Sequence, residues 1–351
     1  MCKAKIGLKN YLPDEVNRLI KELGEPSFRA DQILDWIYKK KVSNWEDMTN
    51  LPIKLREKFK SELQVDLLTI EDKSISGKDG TEKYLFKTMD DKLLECSVMK
   101  QSYGNTVCVS SQIGCGLSCK FCASSRGGLI RNLTTGEMLD QVIMAERNLE
   151  TDARINNIVV MGMGEPLYNL NNLVKFLKLA NDPKGLLISM RNITVSTAGI
   201  APKIEDFSRE KLPVTLAVSL HAPDNETRSK LMPINDKYSI EDILDSCKIY
   251  IDKVGRRITF EYVLIQGIND SQEKASQLAT LLKGLLCHVN LIPANPIGNE
   301  DIKRPDKKSI QDFYRVLEDR KISVSIRKER GSDIEGACGQ LKSRYLTIID
   351  E

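Results

Sequence analysis

Cys115, Cys119 and Cys122 stand within eight residues, in the run Cys115-Gly116-Leu117-Ser118-Cys119-Lys120-Phe121-Cys122. Thiolates this close together suit a soft metal. A structural zinc would need a fourth nitrogen or sulfur ligand, and the two histidines of the chain, His221 and His288, lie far off in sequence. Iron-sulfur clusters also usually take four thiolates, but a cluster held by three leaves one iron open to a substrate or cofactor. As a bare triplet the motif fits either metal. The remaining cysteines are Cys2, Cys96, Cys108, Cys247, Cys287 and Cys338, which makes nine in all. An odd number in a chain of intracellular character argues for ligands, reactive thiols or small buried side chains, as Cys247 and Cys287 read, and against a disulfide framework.

Further polar groups fall where apolar runs end. Gly162-Met163-Gly164-Glu165-Pro166 follows such a run and reads as a glycine-rich strand-to-helix turn, which serves chain reversal and ligand approach equally well. Ser196 closes another β-rich run, Ser219-Leu220-His221 closes the next, and Asn295 follows the stretch ending at Pro293. A lone histidine such as His221 more often satisfies a structural hydrogen bond than it acts in catalysis.

Groups so far apart in sequence meet only on a scaffold that brings strand ends together. From about Asn105, six β-rich runs (106–109, 158–161, 193–196, 215–219, 259–263 and 289–292) alternate with longer segments, among them 136–148, 173–180, 240–252 and 273–285, whose apolar spacing suits crossover helices. This order predicts an α/β fold, a partial parallel (β/α)6 barrel with its chemistry just after the strand ends. Upstream, Pro13 opens a helical pattern of Val16, Leu19, Ile20 and Leu23 that Gly24 stops, and further helices are predicted over 28–38 and 53–63. Over 65–98 the period changes to two, with a polar turn at Gly77-Lys78-Asp79-Gly80 that signals a β-hairpin. The expected division is an N-terminal helical domain over 1–64, a bridging β extension over 65–100, and the barrel with a C-terminal segment over 101–351.

The chain has 351 residues, 41% of them hydrophobic and 29% charged, enough for one large domain and a small one. Charges interrupt every apolar run before the roughly 18 residues a membrane helix needs, and the first residues lack a signal-peptide pattern, so a cytoplasmic location is expected. Lys and Arg number 52 against 49 Asp and Glu, a formal +3, too mild to require a nucleic-acid partner. That excess is carried by the N-terminal helices, where Arg18, Lys21, Arg29, Lys39, Lys40, Lys41, Lys54, Arg56, Lys58 and Lys60 form either phosphate contacts or a solvated charged surface.

The Cys-x3-Cys-x2-Cys spacing, with an aromatic residue before the last cysteine, resembles the signature of radical S-adenosylmethionine (SAM) enzymes. The resemblance implies a 4Fe-4S cluster on Cys115, Cys119 and Cys122, SAM on the open iron, and one-electron cleavage of SAM to methionine and a 5′-deoxyadenosyl radical. It also implies that Gly164 and Glu165 form the turn that meets the SAM amino group, with Ser196, Ser219, Leu220, His221 and Asn295 completing the cofactor-binding rim. A barrel would wall so reactive a radical off from water and stray thiols.

Over nearly the whole chain, through FRADQILDWIYKK, CVSSQIGCGLSCKFCAS, GLIRNLT, VVMGMGEPLYN, VSLHAPDNETRSKLMPIN and ERGSDIEGACGQL, the sequence resembles bacterial RNA methyl synthases that methylate carbon 2 of adenosine in 23S ribosomal RNA and in transfer RNA. That carbon is electron-poor, so direct displacement on the SAM methyl fails and a radical route is needed. The resemblance implies that Cys338 takes a methyl from one SAM to give S-methylcysteine, and that a second SAM supplies the radical that activates this methyl for addition to the base. Cys108 would then resolve the covalent protein-RNA adduct by a transient disulfide with Cys338, and Glu95 would accept the proton. By position alone Glu95 reads as a strand carboxylate facing solvent, and Cys338, between small residues, as a buried or an exposed thiol. An electron donor such as flavodoxin is implied as a partner, and the accessory helices are expected to hold RNA whose target base is unstacked and extruded. Two alternatives stay open on the motifs: methylation of carbon 8 of the ribosomal adenosine with the same cysteines, and a non-enzymatic RNA-binding protein stabilised by zinc.

Overall fold

A computed structural model of the protein describes residues 5–150, 153–295, 301–336 and 340. The chain opens with a two-residue parallel bridge between β1 (Ile6–Gly7) and β2 (Leu63–Gln64) that closes a loop of three helices, α1 (Pro13–Glu22), α2 (Phe28–Leu34) and α3 (Ile53–Glu62). Helix α1 starts as its sequence dictates: Pro13 sits in the first turn, where no N–H is needed, and the Glu15 carboxylate accepts the free Leu12 N–H at 2.7 Å. Helix α2 runs on into a π-type turn over Asp35–Lys39, so the helical stretch expected over 28–38 is present with a wider last turn. Val16, Ile20, Ile33, Ile37 and Phe59 are buried together, and the Phe59 ring lies 5.3 Å from that of Trp45.

Next come β3 (Leu68–Ile75), β4 (Glu82–Thr88) and β5 (Leu93–Gln101), an antiparallel meander around the predicted Gly77–Gly80 turn. The extension was expected as a bridging hairpin. It is instead continuous with the main sheet, because β5 pairs antiparallel with β6 (Gly104–Cys108) in a register that sets Ser97 opposite Cys108. A small antiparallel pair, β7 (Gln112–Gly114) and β8 (Leu129–Asn132), brackets the cysteine loop. Then follow α4 (Thr135–Arg147), β9 (Ile155–Val160), α5 (Leu170–Asn181), β10 (Ile193–Thr197), α6 (Ala201–Arg209), β11 (Thr215–Ser219), α7 (Asn225–Leu231), α8 (Ile240–Val254), β12 (Ile258–Leu264), α9 (Gln272–Leu281), β13 (Cys287–Pro293), α10 (Lys307–Asp319) and β14 (Val324–Ile326).

The main sheet has ten strands in the order β14-β13-β12-β11-β10-β9-β6-β5-β4-β3. From β6 to β14 every pairing is parallel, so the six predicted strands are present and β14 adds a seventh. Laid flat, six gaps of about 4.8 Å would set β6 and β14 about 29 Å apart. Cys108 at the end of β6 and Arg327 just past β14 nevertheless line one cavity, so the parallel strands curl around it as a partial barrel. Among the described residues no helix is long and apolar enough to cross a membrane.

Helix α4 joins the two parts. It is buried from Thr135 to Ala145, charged side chains included, because the barrel covers one face and the N-terminal segment the other. At its N-terminus the Asn10 side chain accepts from the Gly136 N–H at 2.7 Å. In its middle the fully buried Lys9 ammonium pairs with Asp140 of the helix and, at 2.7 Å, with Asp66. Arg147 at the end of the helix holds Asp66 at 2.8 Å and donates to the Lys41 carbonyl at 2.7 Å.

Candidate active site

The cavity spans about 1550 Å³, counting the part open to solvent. Cys115, Cys119 and Cys122 lie on its wall, and their loop is fixed by backbone bonds. The Cys115 N–H donates to the Gly128 carbonyl at 2.9 Å, Lys120 N–H to Leu231 O at 3.0 Å, and the Ser125 hydroxyl lies 3.0 Å from Cys119 O and 2.8 Å from Cys122 O. Gly114 makes this possible: its φ is +73°, and a Cβ there would come within 1.9 Å of Gly128 O. Around the loop, Leu117, Ile200, Leu231, Met232 and Ile265 form a dry shell of their own.

The donor set fits a cluster. Burial pushes the Cys115 thiol up to about 11 and Cys119 further up, and neighbouring thiolates push both in the same direction, so a bound cation is what would favour their ionised form. Among the described residues no three Cys, His, Asp or Glu side chains gather tightly enough to hold a single metal ion, as a mononuclear zinc would require. A four-iron cluster asks less of them, because each thiolate binds its own iron.

Gly164 and Glu165 follow β9. Gly164 has φ +100°, and a Cβ there would lie 2.4 Å from that of Gln112. The Glu165 carboxyl lies on the cavity wall with 2% exposure; it accepts from Leu167 N–H at 3.0 Å and from Ala198 N–H at 2.7 Å, while its own N–H donates to Gln112 Oε1 at 2.8 Å. Burial pushes this carboxyl up to about 7, against those hydrogen bonds. It thus ties the ends of β9 and β10 together and presents an anionic edge that a cofactor ammonium could neutralise.

Ser196, Ser219, His221 and Asn295 line the same cavity. His221 has φ +58°, a conformation that turns its ring back so that Nδ1 accepts from the Val263 N–H at 2.9 Å. A backbone N–H can only donate, so neutral His221 carries its proton on Nε2. Burial, helped by Arg228, lowers the imidazole to about 3, so it stays neutral; its ring meets Phe121 of the cysteine loop edge-on at 4.6 Å. Leu220 differs from its neighbours: it is fully buried and contributes only its backbone, accepting from Arg228 Nε at 3.2 Å.

Cys108, the last residue of β6, opens onto the cavity. Glu95 does not face solvent as its sequence position suggests. It is 2% exposed, and Lys83 Nζ lies 2.8 Å from its carboxylate; on β5 it shares its face with Ser97 and Met99, which line the cavity. Cys338 and Cys2 lie outside the described residues, although Gly336, two positions before Cys338, lines the cavity. Cys96, Cys247 and Cys287 are buried core residues. In the N-terminal helices, Lys39 pairs with Asp35, Lys60 with Glu46 and Lys41 with Glu146 of α4.

Two residues of the site were not singled out from the sequence. Arg228 is fully buried and donates to Ala198 O at 2.6 Å, Ser219 O at 3.0 Å and Asn235 Oδ1 at 2.9 Å, fixing the ends of β10 and β11. Glu261, on β12, is buried in the cavity wall and accepts from Asn290 Nδ2 at 2.8 Å. Burial pushes its carboxyl up. A carboxylate amid the apolar residues of Thr259-Phe260-Glu261-Tyr262-Val263 was the available signal.

Family models match two parts of the chain: the Radical SAM superfamily over residues 109–279 and the ribosomal RNA large subunit methyltransferase N-terminal domain over residues 6–65. The crystal structure of a radical SAM methyltransferase from Sphaerobacter thermophilus has a TM-score of 0.94 with 42% identity, covering 96% of this chain and 99% of that one. The fold is that of a radical SAM enzyme. Two relatives, each described as a probable dual-specificity RNA methyltransferase RlmN, come from Clostridium novyi (strain NT) and Lachnoclostridium phytofermentans. The first is 48% identical over 337 residues, 96% of this chain and 98% of the relative; the second is 48% identical over 349 residues, 99% and 98%. The chain belongs to this RlmN family of SAM-dependent RNA methyltransferases, whose cofactors are a 4Fe-4S cluster and SAM.

Proposed function

We propose that the enzyme methylates carbon 2 of an adenosine in 23S ribosomal RNA and of an adenosine in transfer RNA, in the cytoplasm, with electrons from a donor such as flavodoxin. The observation that carries this reading is the single cavity that gathers the cysteine triplet, Cys108, the strand-end polar groups and Gly336. When bound, the cluster and SAM supply the one-electron cleavage that yields a 5′-deoxyadenosyl radical. Cys115, Cys119 and Cys122 hold the cluster, and Glu165, Ser196, Ser219, His221 and Asn295 orient the cofactor. Cys338 carries the methyl group and joins it to the base. Attack of the Cys108 sulfur on the Cys338 sulfur then breaks the carbon-sulfur bond; the electron pair returns to the new methylene carbon, which takes a proton. Glu95, kept dry beside Lys83, would accept the proton lost from the base, and the electron lost with it would pass to the bound cluster, which gave one up in cleaving SAM. The N-terminal helices would grip RNA phosphates and leave the target base free to enter the barrel mouth.

The test is mass spectrometry of nucleosides from 23S ribosomal RNA and transfer RNA treated with anaerobically reconstituted enzyme, reductant and SAM. 2-Methyladenosine in both is expected; 8-methyladenosine alone would overturn the regiochemistry, and zinc without iron or sulfide would overturn the enzyme. Cys338→Ala should abolish methylation of the protein. Cys108→Ala should retain that methylation and accumulate a protein-RNA adduct.

A further inference from the structure

The turn between β3 and β4 and the segment that leads to Cys338 grip each other across more than 250 residues of sequence. Asp333 accepts from the Ser76 hydroxyl at 2.7 Å and from the Gly77 N–H at 3.1 Å. In the reverse direction, Asp79 of the turn accepts from the Gly331 N–H at 3.0 Å. Lys83 adds a third link: its ammonium, 2.8 Å from Glu95, also reaches Glu335 O at 3.4 Å. The segment is itself folded tightly, with Gly336 N–H on Gly331 O at 2.8 Å. Gly331 packs against Thr81 so closely that a Cβ there would meet Thr81 Cγ2 at 2.8 Å. The Ser76 hydroxyl, chief among its partners, holds the Asp333 carboxyl below the ordinary range.

We infer that this turn is a docking clamp, in which Asp333 and Asp79 act as reciprocal positioning residues that root the C-terminal segment at the cavity. The inference rests on the reading of Cys338 as the methyl carrier. Gly336 lines the cavity, so fixing residues 331–336 fixes the point at the cavity wall from which the chain goes on towards Cys338. The proposed chemistry requires that sulfur to meet the cofactor methyl, the adenine carbon and the Cys108 sulfur in turn. A fixed root keeps all three encounters local, and a loose one lets the radical form when no methyl group is in reach. The clamp also gives the β extension a purpose: it carries Glu95, Lys83 and the grip on the segment in one meander.

The test compares reconstituted holoenzyme with its Asp333→Ala, Asp79→Ala and Asp333→Asn variants. Two quantities are read: amide hydrogen exchange at Gly77 and Gly331, and the ratio of 5′-deoxyadenosine released to adenosine methylated. Loss of charge-assisted bonds of this kind should speed exchange about tenfold at Gly77 in Asp333→Ala and at Gly331 in Asp79→Ala. The ratio should rise about tenfold in both, with iron content and the KM for RNA unchanged. Asp333→Asn, which keeps one of the two acceptor oxygens, should restore part of the coupling. Unchanged exchange overturns the clamp, and faster exchange with an unchanged ratio overturns its positioning role. Peptide mass spectrometry of Cys338 in the unsubstituted enzyme separates the two readings: absence of the methylated cysteine sinks the methyl-carrier assignment, while the exchange data still judge the clamp.

Discussion

Lys9→Met should loosen the joint between the accessory helices and the barrel by an amount the structure sets. The Lys9 ammonium is fully buried between Asp140 and Asp66, and methionine replaces its volume but not its charge. Removing one partner of a buried ion pair costs about 3–5 kcal/mol, because a charge is left uncompensated. Two features place this site at the lower end. Asp66 keeps Arg147 at 2.8 Å, and Asp140 keeps the Leu67 and Leu68 N–H groups at 2.5 and 3.2 Å. About 3 kcal/mol is expected. With an unfolding entropy of about 2.1 cal/mol/K per residue, a chain of 351 residues would lose about 4 °C in melting temperature if it unfolds as one unit.

The same substitution adds a pH dependence. Burial already pushes the Asp140 carboxyl up, with Lys9 opposing. Without Lys9, folded Asp140 binds a proton at pH values where the unfolded aspartate, near 3.9, is ionised. The folded state then holds the extra proton, so stability of the variant falls as pH rises. Its deficit should be largest near neutrality and shrink towards pH 5. Urea titrations of holoenzyme at several pH values measure this, and Lys9→Met/Asp140→Asn should recover most of the loss as a coupling energy. A deficit under about 1 kcal/mol at pH 7, or a double variant no more stable than Lys9→Met, would refute the assignment.

Gly164→Ala should abolish or sharply reduce turnover while the protein remains folded, since the added Cβ drives the turn away from Gln112 and takes Glu165 with it; SAM binding by calorimetry checks this. Arg228→Met should cost about 3 kcal/mol or more, because it orphans the Ala198 and Ser219 carbonyls and the Asn235 side chain, and a stability within 1 kcal/mol of the parent would contradict that role. Cys119→Ala should prevent cluster assembly, read as loss of iron and sulfide together with loss of 5′-deoxyadenosine release.

The sequence announced the parallel strands because each is a short run rich in β-branched or apolar residues, such as Ile193–Thr197 or Thr215–Ser219, between helices with an apolar stripe. It was silent on β14, whose Val324-Ser325-Ile326 is too short for a periodic signal, and on α7, whose Asn225–Leu231 has no apolar stripe and is started by the Asp224 side chain. The cysteine loop and the Gly164 turn were legible because their chemistry is local. Glu95 was not, because its burial depends on the cavity face of β5 and on Lys83 of the neighbouring strand β4, and Lys9 was not, because its partners Asp66 and Asp140 are 57 and 131 residues away. Long-range electrostatic closure of this kind leaves no periodic trace.

Asp140 and Gln141 are adjacent on α4, and their side chains serve opposite neighbours. Asp140 faces Lys9 and the N-terminal segment, whereas Gln141 accepts from the Ser110 N–H at 2.7 Å and donates to the Ser110 carbonyl at 3.0 Å. The Ser110 hydroxyl donates to the Glu95 carbonyl at 2.7 Å and accepts from the Met163 N–H at 2.9 Å, beside Gly164. The helix that seats the N-terminal helices is therefore also the backing for Glu95 and for the Gly164 turn. On the function proposed above, in which the N-terminal helices hold the RNA, this coupling would keep the grip on the polymer in register with the cavity. Lys9→Met should then raise the KM for RNA several-fold while leaving SAM cleavage without RNA unchanged. An equal loss in both would mean that α4 supports the cavity alone.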